Sequence, residues 1–157
     1  MIVTIEPATI EHAIAIAADV RAPDVAEIWA SSRQVPERAM ISGIKYSEQA
    51  MTGLVDGEPV CMWGVVNDSL VGRIGIPWMI GTSKLDKYAR LFLRECRKPQ
   101  LEMFSGYGML MNYVDARNTR AIKWLRFMGF EIEPEPIPYG LSGLPFHKFT
   151  LKEQTHV

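Results

Sequence analysis

Tyr113 lies in the apolar run Met109-Leu110-Met111-Asn112-Tyr113-Val114, and Asp115 opens the corner Asp115-Ala116-Arg117-Asn118 that follows it. By period-two alternation they share one face of a strand. Either group could take a proton from a substrate, directly or through a water. The plainer readings are a half-buried packing tyrosine and a turn-forming aspartate. Glu48 and Glu58 are further carboxylates for the same work. Metal chemistry has no support in the spacing. Cys61 and Cys96 form no C-x-x-C pair, and His12, His147 and His156 have no ligand spacing with them or with each other. The two cysteines read as free buried thiols of a reducing compartment.

Several elements must position these groups. Ile2-Val3-Thr4-Ile5 is a short strand. Thr9 is an N-cap, with His12 at the capping-box position, and Ile10, Ala13, Ile14 and Ala17 form an apolar stripe behind it. Pro23 suits the first turn of a second helix, which carries Val25, Ile28 and Trp29. A third helical piece runs from Pro36 to about Ala50, interrupted by Gly43. Asp56-Gly57 between two apolar runs predicts a tight hairpin. Arg73 to Thr82 is a further strand, and Pro77 inside it predicts a bulge or an edge. Ser83 caps a long helix with Leu85, Ala89, Phe92, Leu93 and Cys96 on one face. Its basic residues Lys84, Lys87, Arg94 and Lys98 read as solvated surface, or as an attraction for phosphates or an acidic partner.

After the corner, Asn118 or Thr119 caps a helix whose apolar positions are Ala121, Ile122, Leu125 and Met128. Gly129 stops that helix, and Phe130 and Ile132 restart a strand. The Pro- and Gly-rich stretch 134–145 reads as a loop before a last strand, Phe146 to Leu151. The order β, helices, hairpin, β, long α, β, α, β, loop, β predicts one domain over 1–157: an α/β (α+β) sandwich with a mixed, mostly antiparallel sheet flanked by helices.

Bulk properties narrow the function classes. With 157 residues and 48% hydrophobic content, the chain can bury a core. The net charge of −1 gives no global field that would draw in nucleic acid. The N-terminus lacks the basic n-region of a secretory signal, and no apolar run approaches the ~20 residues of a membrane span. A cytoplasmic protein is the expectation.

The spacing Asn118, Ala121, Ile122, Gly129, Phe130 after a strand ending in Val114 resembles the last conserved block of the GNAT acyltransferase superfamily. The element order is similar too. The resemblance implies acetyl-CoA as cofactor and an amine of a small molecule or protein as acceptor. It implies that Ile80, Gly81, Thr82, Ser83 and Lys84 hold the pyrophosphate at a helix start, with Asn118 against the CoA arm. A backbone N–H near Trp78 to Ile80 would donate to the oxyanion. Tyr113 or Asp115 would be the base. The chain departs from the family pattern twice: the 80–84 turn has only one glycine, and Leu125 stands where many members carry a tyrosine that protonates the leaving thiolate.

Asn112-Tyr113-Val114, Asn118-Thr119, Lys123-Trp124-Leu125-Arg126 and Phe146 to Leu151 also resemble a GNAT-like family of tailed phages that includes internal virion proteins. That resemblance implies a phage-encoded protein of the bacterial host cytoplasm or the virion, with virion proteins as partners. Two functions follow as expectations: an acetyl-CoA-dependent N-acetyltransferase, or a non-catalytic module reusing the fold. Trp29, Trp63 and the 134–145 loop are candidates for a homo-oligomer contact.

Overall fold

The computed structural model describes residues 1–69 and 71–153. The strands are β1 (Val3–Pro7), β2 (Ser47–Val55), β3 (Glu58–Ser69), β4 (Ile74–Gly81), β5 (Met109–Asp115), β6 (Glu131–Ile132), β7 (Ile137–Tyr139) and β8 (Leu144–Lys152). The helices are α1 (Ile10–Ala17), α2 (Ala22–Ser32), α3 (Pro36–Tyr46), α4 (Lys84–Lys87), α5 (Ala89–Phe104) and α6 (Thr119–Phe127). One sheet runs β1-β2-β3-β4-β5-β8-β6, with β7 also on β8. Every pairing is antiparallel except β4 with β5. The mixed, mostly antiparallel sheet flanked by helices is the architecture expected from the element order.

Each face of the sheet carries its own core. On one face α1 and α3 bury Ala13, Ile16 and Met40 against Met62 and Ile80. On the other, α4 and α5 bury Leu85, Phe92 and Cys96 against Cys61 and Trp63, and Met128 and Phe130 close over Leu110, Val114 and Phe149. The Asp56-Gly57 hairpin turn forms, with both residues left-handed at φ 49° and 81°. Gly129 ends α6 at φ 95°. Thr9 caps α1, and the His12 ring accepts from the Thr9 N–H at 3.3 Å, completing a capping box with an imidazole in place of a carboxylate.

Several local expectations are corrected. The third helix stops at Tyr46, and residues 47–50 are strand, because β3 offers Val65 and Val66 as ladder partners. Of the expected stripe on α1, Ala13 is buried and Ala17 packs partly buried against the same core, but Ile10 and Ile14 point to solvent and Ile16 is buried in their place. The long helix is two pieces broken at Tyr88, and the Ser83 side chain makes no cap; it bonds Asp19 instead. The 134–145 loop contains β7, zipped onto β8. Trp63 is a core residue at 2% exposure, whereas Trp29 is 48% exposed. Cys61 and Cys96 are buried free thiols in one core, and burial pushes both thiols up, Cys96 to about 12. Among the described residues, no helix is long and apolar enough to cross a membrane, and no cluster of His, Cys, Asp or Glu could hold a metal.

Candidate active site

The sheet opens in its middle. Among the described residues, β4 pairs with β5 only at Ile74–Met109 and Gly75–Leu110. Beyond that point the strands diverge. Pro77 has no N–H to donate, and its carbonyl turns towards the gap, where the Asn112 amide donates to it at 2.8 Å. Pro77 is therefore a local edge residue with no register shift on its β3 side. A residue's N–H and C=O leave a strand on the same side and alternate from one residue to the next. By that parity the Met79 N–H also faces the gap, one residue from each end of the Trp78–Ile80 stretch. It is the donor that an oxyanion would need.

At the far end of the gap β5 turns the corner. The Asp115 carboxylate accepts from the backbone N–H of Arg117 at 2.9 Å and from its guanidinium at 2.7 and 3.0 Å. Burial works to raise the Asp115 carboxyl, but the bonds from Arg117 outweigh it and hold the group below its ordinary value. A carboxylate so bound is a turn former with little proton affinity. Tyr113, on the same face of β5, stacks on Tyr139 at 4.2 Å between ring centroids. Asn118 caps α6, accepting from the Ala121 N–H at 3.3 Å. Its amide donates to Asp24 at 3.1 Å, and the residue is 1% exposed. The structure thus brings Tyr113, Asp115 and Asn118 together, with the Asn118 side chain committed within the protein.

Two carboxylates that sequence reading passed over complete the cluster. Asp24 and Glu27 sit three residues apart on α2, whose N1/N2 proline starts the helix beside the sheet. Buried Asp24 joins three elements: it accepts from Arg21 at 3.1 and 3.2 Å, from the Gly81 N–H at 3.2 Å and from Asn118. Glu27 accepts from the Asp115 N–H at 2.7 Å. Burial pushes its carboxyl up to about 7, the charges of Asp24 and Asp115 push the same way, and the bonds from Asp115 and Asn118 oppose them. Tyr139 lies against this group, its hydroxyl raised by burial and then by Tyr113 and Glu27. The one available signal in the sequence was Arg21-x-x-Asp24-x-x-Glu27, a charged stripe on a helix that also carries Val25, Ile28 and Trp29.

The hairpin of β7 and β8 closes over this end. Its turn donates from Leu141 and Ser142 to the carbonyls of Ser31 and Ala30, the last turn of α2, at 3.1 and 3.0 Å. Gly140 makes this approach at φ 69°; a Cβ there would sit 2.6 Å from the Ser31 backbone.

The 80–84 turn differs in character. Ile80 is a core residue. The N–H groups of Gly81, Thr82 and Ser83 go to the Asp24 carboxylate, the Val60 carbonyl and the Asp19 carbonyl at 3.2, 2.9 and 3.0 Å. The Ser83 hydroxyl donates to the Asp19 carboxylate at 2.5 Å, and Lys84 pairs with Glu58. Arg120 and Arg21 both pair with Asp86. The helix that follows has four residues. Its short dipole and these filled donors leave a turn satisfied by the protein itself. Leu125 is part of the α5–α6 core, and Glu48 bonds Asn67, away from the gap.

No family model matches the chain, and no characterised protein matches it in sequence. Solved structures do. Ard1 from Thermoplasma volcanium superposes with a TM-score of 0.73 at 11% identity, covering 99% of this chain and 100% of that one. The ribosomal-protein-S18-alanine N-acetyltransferase from Escherichia coli gives 0.69 at 16%, covering 99% and 97%. Spermidine N-acetyltransferase from Vibrio cholerae, in complex with CoA and spermine, gives 0.68 at 9%, covering 96% and 95%.

The chain has the GNAT acetyltransferase fold. At these identities the fold is what is shared.

Proposed function

We propose that the chain is an N-acyltransferase that accepts its acyl group from acetyl-CoA and passes it to an amine. The observation that carries this reading is Glu27, a carboxylate at the mouth of the β4–β5 gap with its proton affinity raised to about 7. A general base works best near the operating pH. A carboxylate in this state takes a proton from an ammonium or an attacking amine and returns it on release. Met79 supplies an N–H to the developing oxyanion from within the gap. Asp115 and Asn118 orient Glu27 and moderate its charge, and Asp115 is kept ionised by Arg117. Tyr113 and Tyr139 form an aromatic wall that limits water.

Acetyl-CoA fits this chain unevenly. The gap beside Pro77 and Met79 suits the extended thioester arm. The turn 81–84 suits a pyrophosphate only after Asp19 releases Ser83 and Glu58 releases Lys84. When bound, acetyl-CoA supplies an acyl group activated as a thioester. With Leu125 in the core, departure of the thiol relies on water or on the protonated Glu27. The similarity in fold to a ribosomal-protein-S18-alanine N-acetyltransferase and a spermidine N-acetyltransferase supports an amine as acceptor.

A second reading, a non-catalytic module on the same fold, is favoured by the filled donors of the 81–83 turn. Thermal unfolding with acetyl-CoA separates the two, because a ligand that binds only the native state raises the midpoint by mass action. Acyl transfer expects a rise that saturates, together with CoA release when amines are added. An unchanged midpoint at about 1 mM acetyl-CoA sinks it in favour of the module.

A further inference from the structure

We propose that a second cavity, at the closed end of the β4–β5 pair, binds a small primary alkylammonium ion. It lies under the ring of Tyr107, some six strand residues from Gly81, or about 20 Å at ~3.3 Å per residue. Its volume is about 310 Å³, and Glu48, Asn67, Val65, Met103 and Tyr107 line it. This size is at the small end of ligand sites.

Two irregularities of the sheet meet here. The register shifts between Ser47 and Gln49 on β2 and between Asn67 and Ser69 on β3. A bulge turns a side chain out of the ladder and re-aims it, and Glu48 is the bulged residue of β2. Gly75 makes room for the ring: a Cβ there would lie 2.8 Å from Tyr107 and 2.5 Å from Val65. The Tyr107 hydroxyl donates to the Asn67 carbonyl at 2.8 Å, and the Asn67 amide donates to one oxygen of Glu48 at 3.3 Å. This relay fixes the carboxylate through Oε2 and leaves Oε1 without a partner among the described residues. Burial, and then the charge of Glu48, push the Tyr107 phenol up, so it stays a neutral donor. Arg73 also lines the cavity, but its guanidinium is paired with Glu153 at 3.2 Å, which leaves Glu48 as the lining charge without an ionic partner among the described residues.

The chemistry of the lining selects the ligand. One oriented carboxylate oxygen accepts from an ammonium. The aromatic ring attracts the same cation. Val65 and the flexible Met103 receive a short alkyl chain. An anion meets Glu48, and a bulky ligand meets two bulged strands.

The site stands independently of acyl transfer, and the test keeps the two apart. n-Butylammonium chloride is titrated at pH 7 into the isotopically labelled protein at constant ionic strength, with amide resonances followed by NMR. Saturable shifts centred on Glu48, Asn67 and Tyr107 are expected, and n-butanol is expected to give none. Glu48→Gln, at an exposed carboxylate, weakens binding by about tenfold as a charged partner becomes neutral. Tyr107→Phe keeps the ring but breaks the relay, and weakens binding by roughly threefold. Glu27→Gln leaves binding at this cavity unchanged. Shifts centred instead on Glu27 and Tyr139, shifts that do not saturate, or a Glu48→Gln protein that binds as tightly as the parent would each overturn the assignment.

Discussion

The two sides of the open end of the β4–β5 gap are built from the same currency, carboxylates and backbone N–H groups, yet they reach opposite states. At the 80–84 turn every acid has a close donor: Asp19 has Ser83, Glu58 has Lys84, and Asp24 has Arg21 and Gly81. Around Glu27 the acids outnumber the cations. Asp24 and Asp115 face it, and Arg117 serves Asp115 alone. The first arrangement stabilises a loop that lacks the glycines to wrap a phosphate. The second leaves one carboxyl with raised proton affinity. Satisfied polar groups hold shape, and burial, with unbalanced charge added to it, is what raises Glu27 towards neutral pH.

The largest effect should come from the residue that joins the two sides. Asp24→Ala leaves the Arg21 guanidinium, the Gly81 N–H and the Asn118 amide without their shared acceptor. A loss of ~3–5 kcal/mol is expected in denaturant unfolding; a loss below ~1 kcal/mol would mean that the hub is dispensable. Next is Glu27→Gln, which should lower kcat/KM for the amine by roughly a hundredfold with the fold intact, and remove a rise in rate through about pH 7. If rate and pH profile survive, the base lies elsewhere.

The same variant sharpens the contrast through stability. Because the folded Glu27 pKa of about 7 lies above 4.5, the native state holds a proton that the unfolded chain has released. The contribution is fully present below about pH 4.5 and is lost as pH rises through about 7. Glu27→Gln should therefore gain stability over the parent by ~1–3 kcal/mol at pH 8 and by little at pH 4, measured by paired melts. The smallest effect is at the quiet side. Asp19→Asn frees the Ser83 hydroxyl from a charged acceptor and should tighten acetyl-CoA by a few-fold, about 1 kcal/mol. Equal affinity would show that this contact does not compete with a phosphate.

Much of the frame was legible in the sequence because it rests on local rules. Asp56-Gly57 dictates its turn, Thr9 and Asn118 cap their helices, and Gly129 stops α6 by backbone conformation. The strand face shared by Tyr113 and Asp115 follows from alternation alone. The site itself was less legible, since it is made by long-range meetings. Asp24 and Glu27 gain their roles only when α2 lies against the corner of β5, almost ninety positions away. Asp115 loses basicity to Arg117, two residues on, which a period-two reading leaves out of account. Ser83 chose a distant aspartate over its own helix, since one turn of helix offers little to cap. Ile10 and Ile14 misled because hydrophobicity marks a stripe without saying which side the sheet will take.

β8 carries a consequence for biosynthesis. It is the last strand of the described chain, yet it lies inside the sheet, with β5 on one side and β6 and β7 on the other. While a ribosome is still making residues 116–143, β5 has only its two-residue contact with β4 to hold it. The nascent chain therefore shows an open apolar edge until β8 emerges and docks along seven positions of β5, from Asp115 to Met109. Non-local pairing of this kind is slow to nucleate. It makes that interval the time when the chain is most exposed to mispairing and most in need of a holding chaperone.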